Sequence, residues 1–399
     1  MRWKGFYIGR AQRVAALLLF VLFAECCWTI AHSPLTADDY RYVRCGREMW
    51  ERPGAIQGYF TSCGNMNGDG TFAYRVASLP LMVQRDILLA ADHLRKPENR
   101  VYQGGSLNGT LWEARSELNL APWLLRLPFV LFAIWLGGGL WWVSKRLFGP
   151  IGGALALGLY IFCPAVIHYA VHPNNEVLAM WGIYGLVYTL IGVAHALQGP
   201  RRKWRFRIVL LTVALGFTAA AHLLAAGLGL IAGTIFCLYL CERNRGYVMQ
   251  IVLFSAVGAM VMLLFSFSLR LSAFQYIFSG GAARFWFTNG AVRLFATTPG
   301  NAGIVIAALT ALVLYVTTKR SRYFGNTAPL LMVLALGWLY TTQVVTAPWF
   351  WALPFLFTFI GGVFADALES RARKLFLALT ATLIAAQAGL CWATMAGRL

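Results

Sequence analysis

Charge is what this chain has least of. Only 12% of its 399 residues are Asp, Glu, Lys or Arg, and 15 acids stand against 34 Lys and Arg. With 59% hydrophobic residues and a mean hydropathy of +0.62, there is too little polar side chain to clothe a water-soluble globule. The soluble classes are excluded, and an all-α polytopic membrane protein is expected. Cys and His at zinc-type spacing are missing. So is a small-x-small cleavage site after the first apolar run, roughly Val14 to Ile30, where Glu25, Cys26, Cys27 and Trp28 stand instead. That run is read as a retained first helix. A formal charge of +19 points first to nucleic acid, but the basic residues form short clusters at the ends of apolar runs and no continuous patch. Anionic membrane lipids, not nucleic acid, are the expected counter-ions. No internal repeat is found.

What is present is a series of apolar runs of about 20 residues, the length that crosses a bilayer. They lie near 13–32, 125–144, 150–170, 177–197, 208–221, 223–241, 247–268, 301–318, 327–345, 348–366 and 375–395. These predict about 11 transmembrane helices in a single domain over 1–399. The fifth and sixth come from one tract too long for a single span, divided at His222. With a cytoplasmic N-terminus, every short basic loop falls inside: Lys145-Arg146, Arg201-Arg202-Lys203, Arg243 with Arg245, Lys319-Arg320, and Arg371 with Arg373-Lys374. The outer side then receives a long first loop, 33–122, a second loop, 269–300, and the His172-Pro173-Asn174-Asn175 turn. Short loops and Ala/Gly/Leu-rich helices suit a bacterial inner membrane.

The first outer loop carries most of the acids. Thr36-x-x-Asp39 has the spacing of a capping box. After it, Tyr42, Val43, Gly46, Met49 and Trp50 fall on one helical face, and Arg41, Arg44, Glu48 and Arg52 on another. A second stretch has Phe72, Val76, Leu79, Val83, Ile87 and Leu94 at helical spacing, with Arg85-Asp86 in its middle. Both read as helices lying in the membrane interface. Cys45 and Cys63 share this loop, and sequence leaves their pairing open. The second outer loop sets Arg270, Arg284 and Arg293 among Phe274, Tyr276, Phe278, Phe285, Trp286 and Phe287, a composition fit for a lipid phosphate or for an interfacial anchor.

Asp38 and Asp39, adjacent at the mouth of a span, are costly to ionise together unless something uses them. A hydroxyl attacking an anomeric carbon needs a carboxylate to take its proton, and a departing phosphate needs fixed positive charge. Arg41, Arg44, Arg75, Arg270 and Arg284 are the available cations, and the pair of carboxylates also admits a divalent cation.

The order of these features resembles GT-C fold glycosyltransferases of the protein O-mannosyltransferase and lipid A aminoarabinose transferase type. Asp38-Asp39-Tyr40-Arg41-Tyr42 with Arg47-Glu48-Met49 is similar to their Asp-Glu-x-x-Tyr...Arg-Glu-Met stretch. Arg126-Leu127-Pro128, Lys145-Arg146-Leu147-Phe148-Gly149, Pro164 and His172-Pro173-Asn174-Asn175-Glu176-Val177-Leu178 follow in the same succession. The likeness covers roughly the first 240 residues. It implies transfer of a sugar from a polyprenyl-phosphate donor to an outer-face acceptor (a lipid, glycan or protein), with Asp38 as base and Asp39 in the second acidic position. The chain departs from the pattern at Ala77-Ser78-Leu79-Pro80-Leu81, where relatives have a basic residue and two prolines, and at Ala221-His222, where many have Thr-Lys. Arg75 and His222 are then the candidate substitutes at the donor phosphate. Glu176 and His172 are accessory candidates at the same face; a carboxylate at a helix start is equally a plain dipole partner. The competing classes are a transporter or flippase, whose ionisable groups belong nearer the midplane, and a lipid-linked ligase with its large loop late in the chain.

Overall fold

The computed structural model describes residues 9–51, 70–94, 120–197, 204–242, 245–269, 299–341, 348–369 and 373–397. Among the described residues the protein is helical with no strand. The helices are α1 (Arg10–His32), α2 (Ala37–Glu51), α3 (Phe72–His93), α4 (Ala121–Ile161), α5 (Pro164–Ala170), α6 (Asn175–Leu197), α7 (Trp204–Ala221), α8 (Leu223–Leu240), α9 (Arg245–Ser266), α10 (Ala302–Thr317), α11 (Phe324–Thr341), α12 (Pro348–Leu368) and α13 (Arg373–Met395). Eight are long and apolar enough to cross a membrane, and α7 and α11 carry shorter apolar stretches. This is a polytopic membrane architecture.

The longest helix is in fact a hairpin. At 41 residues and about 1.5 Å per residue it would be twice the thickness of a hydrocarbon core. Gly149 breaks it with φ of 79°, a left-handed setting that glycine adopts freely, and Pro150 restarts the helix. The limbs then run back along each other: the Tyr160 hydroxyl donates to the Ala133 carbonyl at 2.8 Å, and Gly153 lies against Trp141 and Lys145.

α12 is the axis of the bundle. Phe350, Trp351, Phe355, Phe357 and Phe359 are all buried, and the helix packs on α4, α6 and α11. Outer helices turn large apolar side chains away from the protein, among them Leu17 and Phe20 of α1, Phe254 and Phe265 of α9, and Leu375 and Leu379 of α13. In water such faces would be a liability; against acyl chains they are ordinary.

Backbone groups freed at helix breaks must find partners when water is absent. Gln387 of α13 supplies several at once. Its Nε2 donates to the carbonyls of Phe162 (2.7 Å) and Gly300 (2.8 Å), and its Oε1 accepts from Ile304 N–H at 3.2 Å. One amide therefore ties α13 to the α4–α5 break and to the start of α10.

At one end of the bundle α2 and α3 lie against each other. The expected capping box forms: Thr36 N–H donates to Asp39 Oδ2 at 2.8 Å and Asp39 N–H to Thr36 Oγ1 at 3.2 Å, so α2 begins where the sequence places it. Tyr42 stacks on Tyr74 with centroids 4.3 Å apart, and Gly46 sits so close to the Tyr74 carbonyl that any Cβ would overlap it. Cys45 is disulfide-bonded; Cys63, the candidate partner in the same loop, lies outside the described residues. The apolar stripe of α3 turns inward at Phe72, which stacks on Phe217, and faces outward farther along. Leu79, Val83 and Ile87 are exposed, while Ala73, Tyr74, Ala77, Ser78 and Leu81 meet α2 and the bundle. An interfacial helix suits this arrangement, one face packed on the protein and large apolar residues left toward lipid.

Candidate functional site

The site begins where α1, α2, α4 and the α5–α6 turn converge. Arg126, in the first turns of α4, is fully buried and points across to the α1–α2 turn. It donates to the Ser33 carbonyl at 2.9 Å, the Pro34 carbonyl at 2.7 Å and Asp39 Oδ2 at 2.6 Å. Asp39 is 1% exposed. A carboxylate so placed is tolerated because it is paired and hydrogen-bonded. Burial pushes its carboxyl up, but His172, Arg126 and the Thr36 amide together pull harder, and it comes to rest at about 2, below the ordinary 3.8.

The second oxygen of Asp39 has no hydrogen-bond partner although it is buried. His172 Nδ1 stands 3.9 Å from it. The turn that carries His172 is held by Asn174, whose Nδ2 donates to the carbonyls of Tyr169 (2.6 Å) and His172 (2.5 Å) while its Oδ1 caps α6 by accepting from Val177 N–H at 3.0 Å. One turn back along α5, the exposed His168 ring lies 5.0 Å from the His172 ring.

Asp38 differs from its neighbour. Its side chain is 72% exposed and pairs with Arg41 at 3.2 Å. The two acids of the motif are therefore split by environment: Asp39 is buried and paired, and Asp38 is exposed in the first turn of α2, where the helix dipole favours its charge.

Arg44 is exposed and 3.8 Å from Glu48. Arg75, expected at a donor phosphate, is occupied otherwise: its Nε donates to the Ser266 carbonyl at 3.1 Å, its Nη2 to Ser268 Oγ at 3.0 Å, and its guanidinium lies over the Trp50 ring. It fastens α3 to the end of α9, where Ser268 and Leu269 both adopt positive φ. His222, the other expected substitute, is buried at the α7–α8 junction against Trp351, and burial lowers its imidazole to about 4. Glu176 accepts from Trp351 Nε1 at 2.8 Å, so Trp351 joins these two accessory candidates beside the corner rather than within it. Arg270 and Arg284 lie outside the described residues. Among the described residues no group of three or more His, Cys, Asp and Glu is arranged to hold a metal ion.

Sequence reasoning missed His168, which the turn after α5 brings beside His172. It also missed the groove of about 390 Å³ between α10 and α11, floored by α12 and lined by apolar side chains that include Val305, Leu309, Leu330, Val333, Trp349 and Leu353. Trp349 precedes Phe350, which packs on Tyr169 at 4.2 Å, the residue after His168.

No family model matches the chain, and no curated protein or solved structure is significantly similar to it. Fold and composition thus define an all-helical protein with helices suited to span a membrane.

Proposed function

We propose that this chain is an integral membrane glycosyltransferase that moves a sugar from a polyprenyl-phosphate carrier to an acceptor hydroxyl on the extracytoplasmic face. The observation that carries this reading is the convergence of separate motif elements of the GT-C resemblance. Arg126 of Arg-Leu-Pro meets Asp39 of the paired-acid motif at 2.6 Å, and His172 of the later turn stands beside the same carboxylate. Asp38, adjacent in the chain, is left accessible. In the step proposed, the acceptor oxygen attacks the anomeric carbon, and the bond from that carbon to the phosphate oxygen breaks with its electron pair leaving on the phosphate. The acceptor proton goes to Asp38.

Several features support the membrane setting of this reaction. The eight long helices, the two shorter ones, and a second crossing made from the far limb of α4 with α5 would give eleven passages. Placing the basic loops in the cytoplasm puts α2, α3 and the acid pair outside, as a bacterial inner-membrane enzyme acting on the envelope would need. The groove between α10 and α11 has a volume typical of ligand pockets, about 300–1,000 Å³, and offers an apolar bed for an isoprenoid chain.

One observation favours the transporter or flippase reading. Glu25 of α1 is 7% exposed, about two turns in from the helix end, and accepts from Trp392 Nε1 at 2.7 Å. Mass spectrometry of membrane lipids separates the classes. A cell lacking the chain, or carrying Asp38→Asn, should accumulate a polyprenyl-phosphate sugar, and Glu25→Gln should not. An unchanged lipid profile in the first two would sink the transferase reading.

A further inference from the structure

Among the described residues the candidate cations for the donor phosphate already have protein partners, Arg44 facing Glu48 at 3.8 Å among them. Arg75 is fastened to Ser266 and Ser268, His222 is sealed against Trp351, and Arg41 is paired with Asp38. What the corner does hold is a pair of neighbouring imidazoles. His168 is exposed, the His172 side chain is 24% exposed, and their rings are 5.0 Å apart.

Behind them lies Asp39 Oδ1, buried and without a hydrogen-bond partner, 3.9 Å from His172 Nδ1. An oxygen in that state favours N–H on the facing nitrogen. With Nδ1–H turned inward, Nε2 of His172 is left for a ligand, and on protonation it becomes a second donor. The charges around the ring accord with this. Arg126 already neutralises Asp39, so a protonated His172 would leave the corner one charge positive, with Asp38 held by Arg41. Glu176, in the first turn of α6, gives an oxygen to Trp351.

We propose that His168 and His172 form a phosphate-binding site, with Asp39 orienting His172 from behind. The ligand class is a phosphate ester at the membrane interface. Resting on the transferase reading, the pair would receive the donor phosphate, and a chain of contacts leads from it through Tyr169 and Phe350 to Trp349 at the apolar groove. An imidazolium donor strengthens as negative charge gathers on the departing phosphate, so its effect belongs to bond breaking as well as to binding.

The test is equilibrium binding of radiolabelled polyprenyl monophosphate to the full chain in lipid nanodiscs, with the matching polyprenol and inorganic phosphate as comparison ligands. H168Q/H172Q should weaken binding of the phosphate lipid roughly tenfold or more and leave polyprenol binding unchanged. Equal, histidine-dependent binding of inorganic phosphate would identify free phosphate as sufficient; a requirement for the prenyl chain would identify the lipid headgroup. Either result supports the site, whereas wild-type affinity for both phosphate ligands in the double variant overturns it. If the double variant does not fold, His168→Gln alone, at an exposed position, should still lose affinity severalfold, and no loss overturns the site. Sugar transfer by the wild type is measured separately. Transfer with unaltered phosphate binding in the variants defeats the histidine pair alone; histidine-dependent binding without any transfer defeats the transferase reading alone.

Discussion

Arg126 and Asp39 lie 87 residues apart in the chain and meet at 2.6 Å, both out of contact with solvent. The bond fixes the α1–α2 turn against the start of α4, because the same guanidinium also holds the Ser33 and Pro34 carbonyls. Whatever chemistry Asp38 performs, its position is set by this neighbour. Removing one member of a buried pair leaves an uncompensated charge, at about 3–5 kcal/mol. Arg126→Met should therefore lower thermal stability sharply, and adding Asp39→Asn should restore part of the loss. A double variant as unstable as the sum of the singles would mean that the two residues act independently.

The same pair gives a pH signature. The Asp39 carboxyl at about 2 lies below its ordinary 3.8, so the folded state binds that proton more weakly than the unfolded state. Its stabilising contribution is complete above about 3.8 and disappears as pH falls through about 2. Across this window the melting temperature of the wild type should fall toward that of Asp39→Asn. Parallel curves for the two proteins would contradict the assignment.

At Gly46 the α2–α3 contact has no room for a side chain, since a Cβ would overlap the Tyr74 carbonyl oxygen. Gly46→Ala should cost about 1–3 kcal/mol as the helices separate. Limited proteolysis within α3 should then quicken, and wild-type resistance would show that the helices part without penalty.

Gln387 makes a comparable prediction inside the membrane. Gln387→Leu strands the Phe162 and Gly300 carbonyls and the Ile304 amide, at about 1–3 kcal/mol for each group left unsatisfied. Gln387→Glu removes the amide donor and sets a buried carboxyl against two carbonyl oxygens, so its melting temperature should also fall well below wild type. Equal stability of all three proteins would deny Gln387 its tying role.

Much of this was legible in the sequence, for physical reasons. Long apolar runs have few alternatives to a spanning helix, and the box of Thr36 and Asp39 is local, so both could be read directly. The α4 hairpin was legible in Lys145-Arg146 and Gly149-Pro150, which mark a basic turn between two runs. What sequence could not show was direction. Phe72, Val76, Leu79, Val83 and Ile87 share a helical face whether it meets protein or lipid, and only the packing of the opposite face on α2, through Tyr74 and Ala77 among others, decides the matter. Nor could it show which acid is buried: Asp38 and Asp39 are chemically alike, and the difference comes from Arg126, far along the chain. Arg75 illustrates the same limit, since its partners Ser266 and Ser268 belong to another helix end.

The central claim is that Asp38, exposed beside a buried and paired Asp39, takes the proton of an acceptor hydroxyl. Its most direct test is sugar transfer from a labelled polyprenyl-phosphate donor by membranes holding equal amounts of wild type or Asp38→Asn, with the melting temperature of each purified protein recorded. The account predicts transfer reduced by about 10²-fold or more at unchanged stability. Full transfer by the folded variant would contradict it.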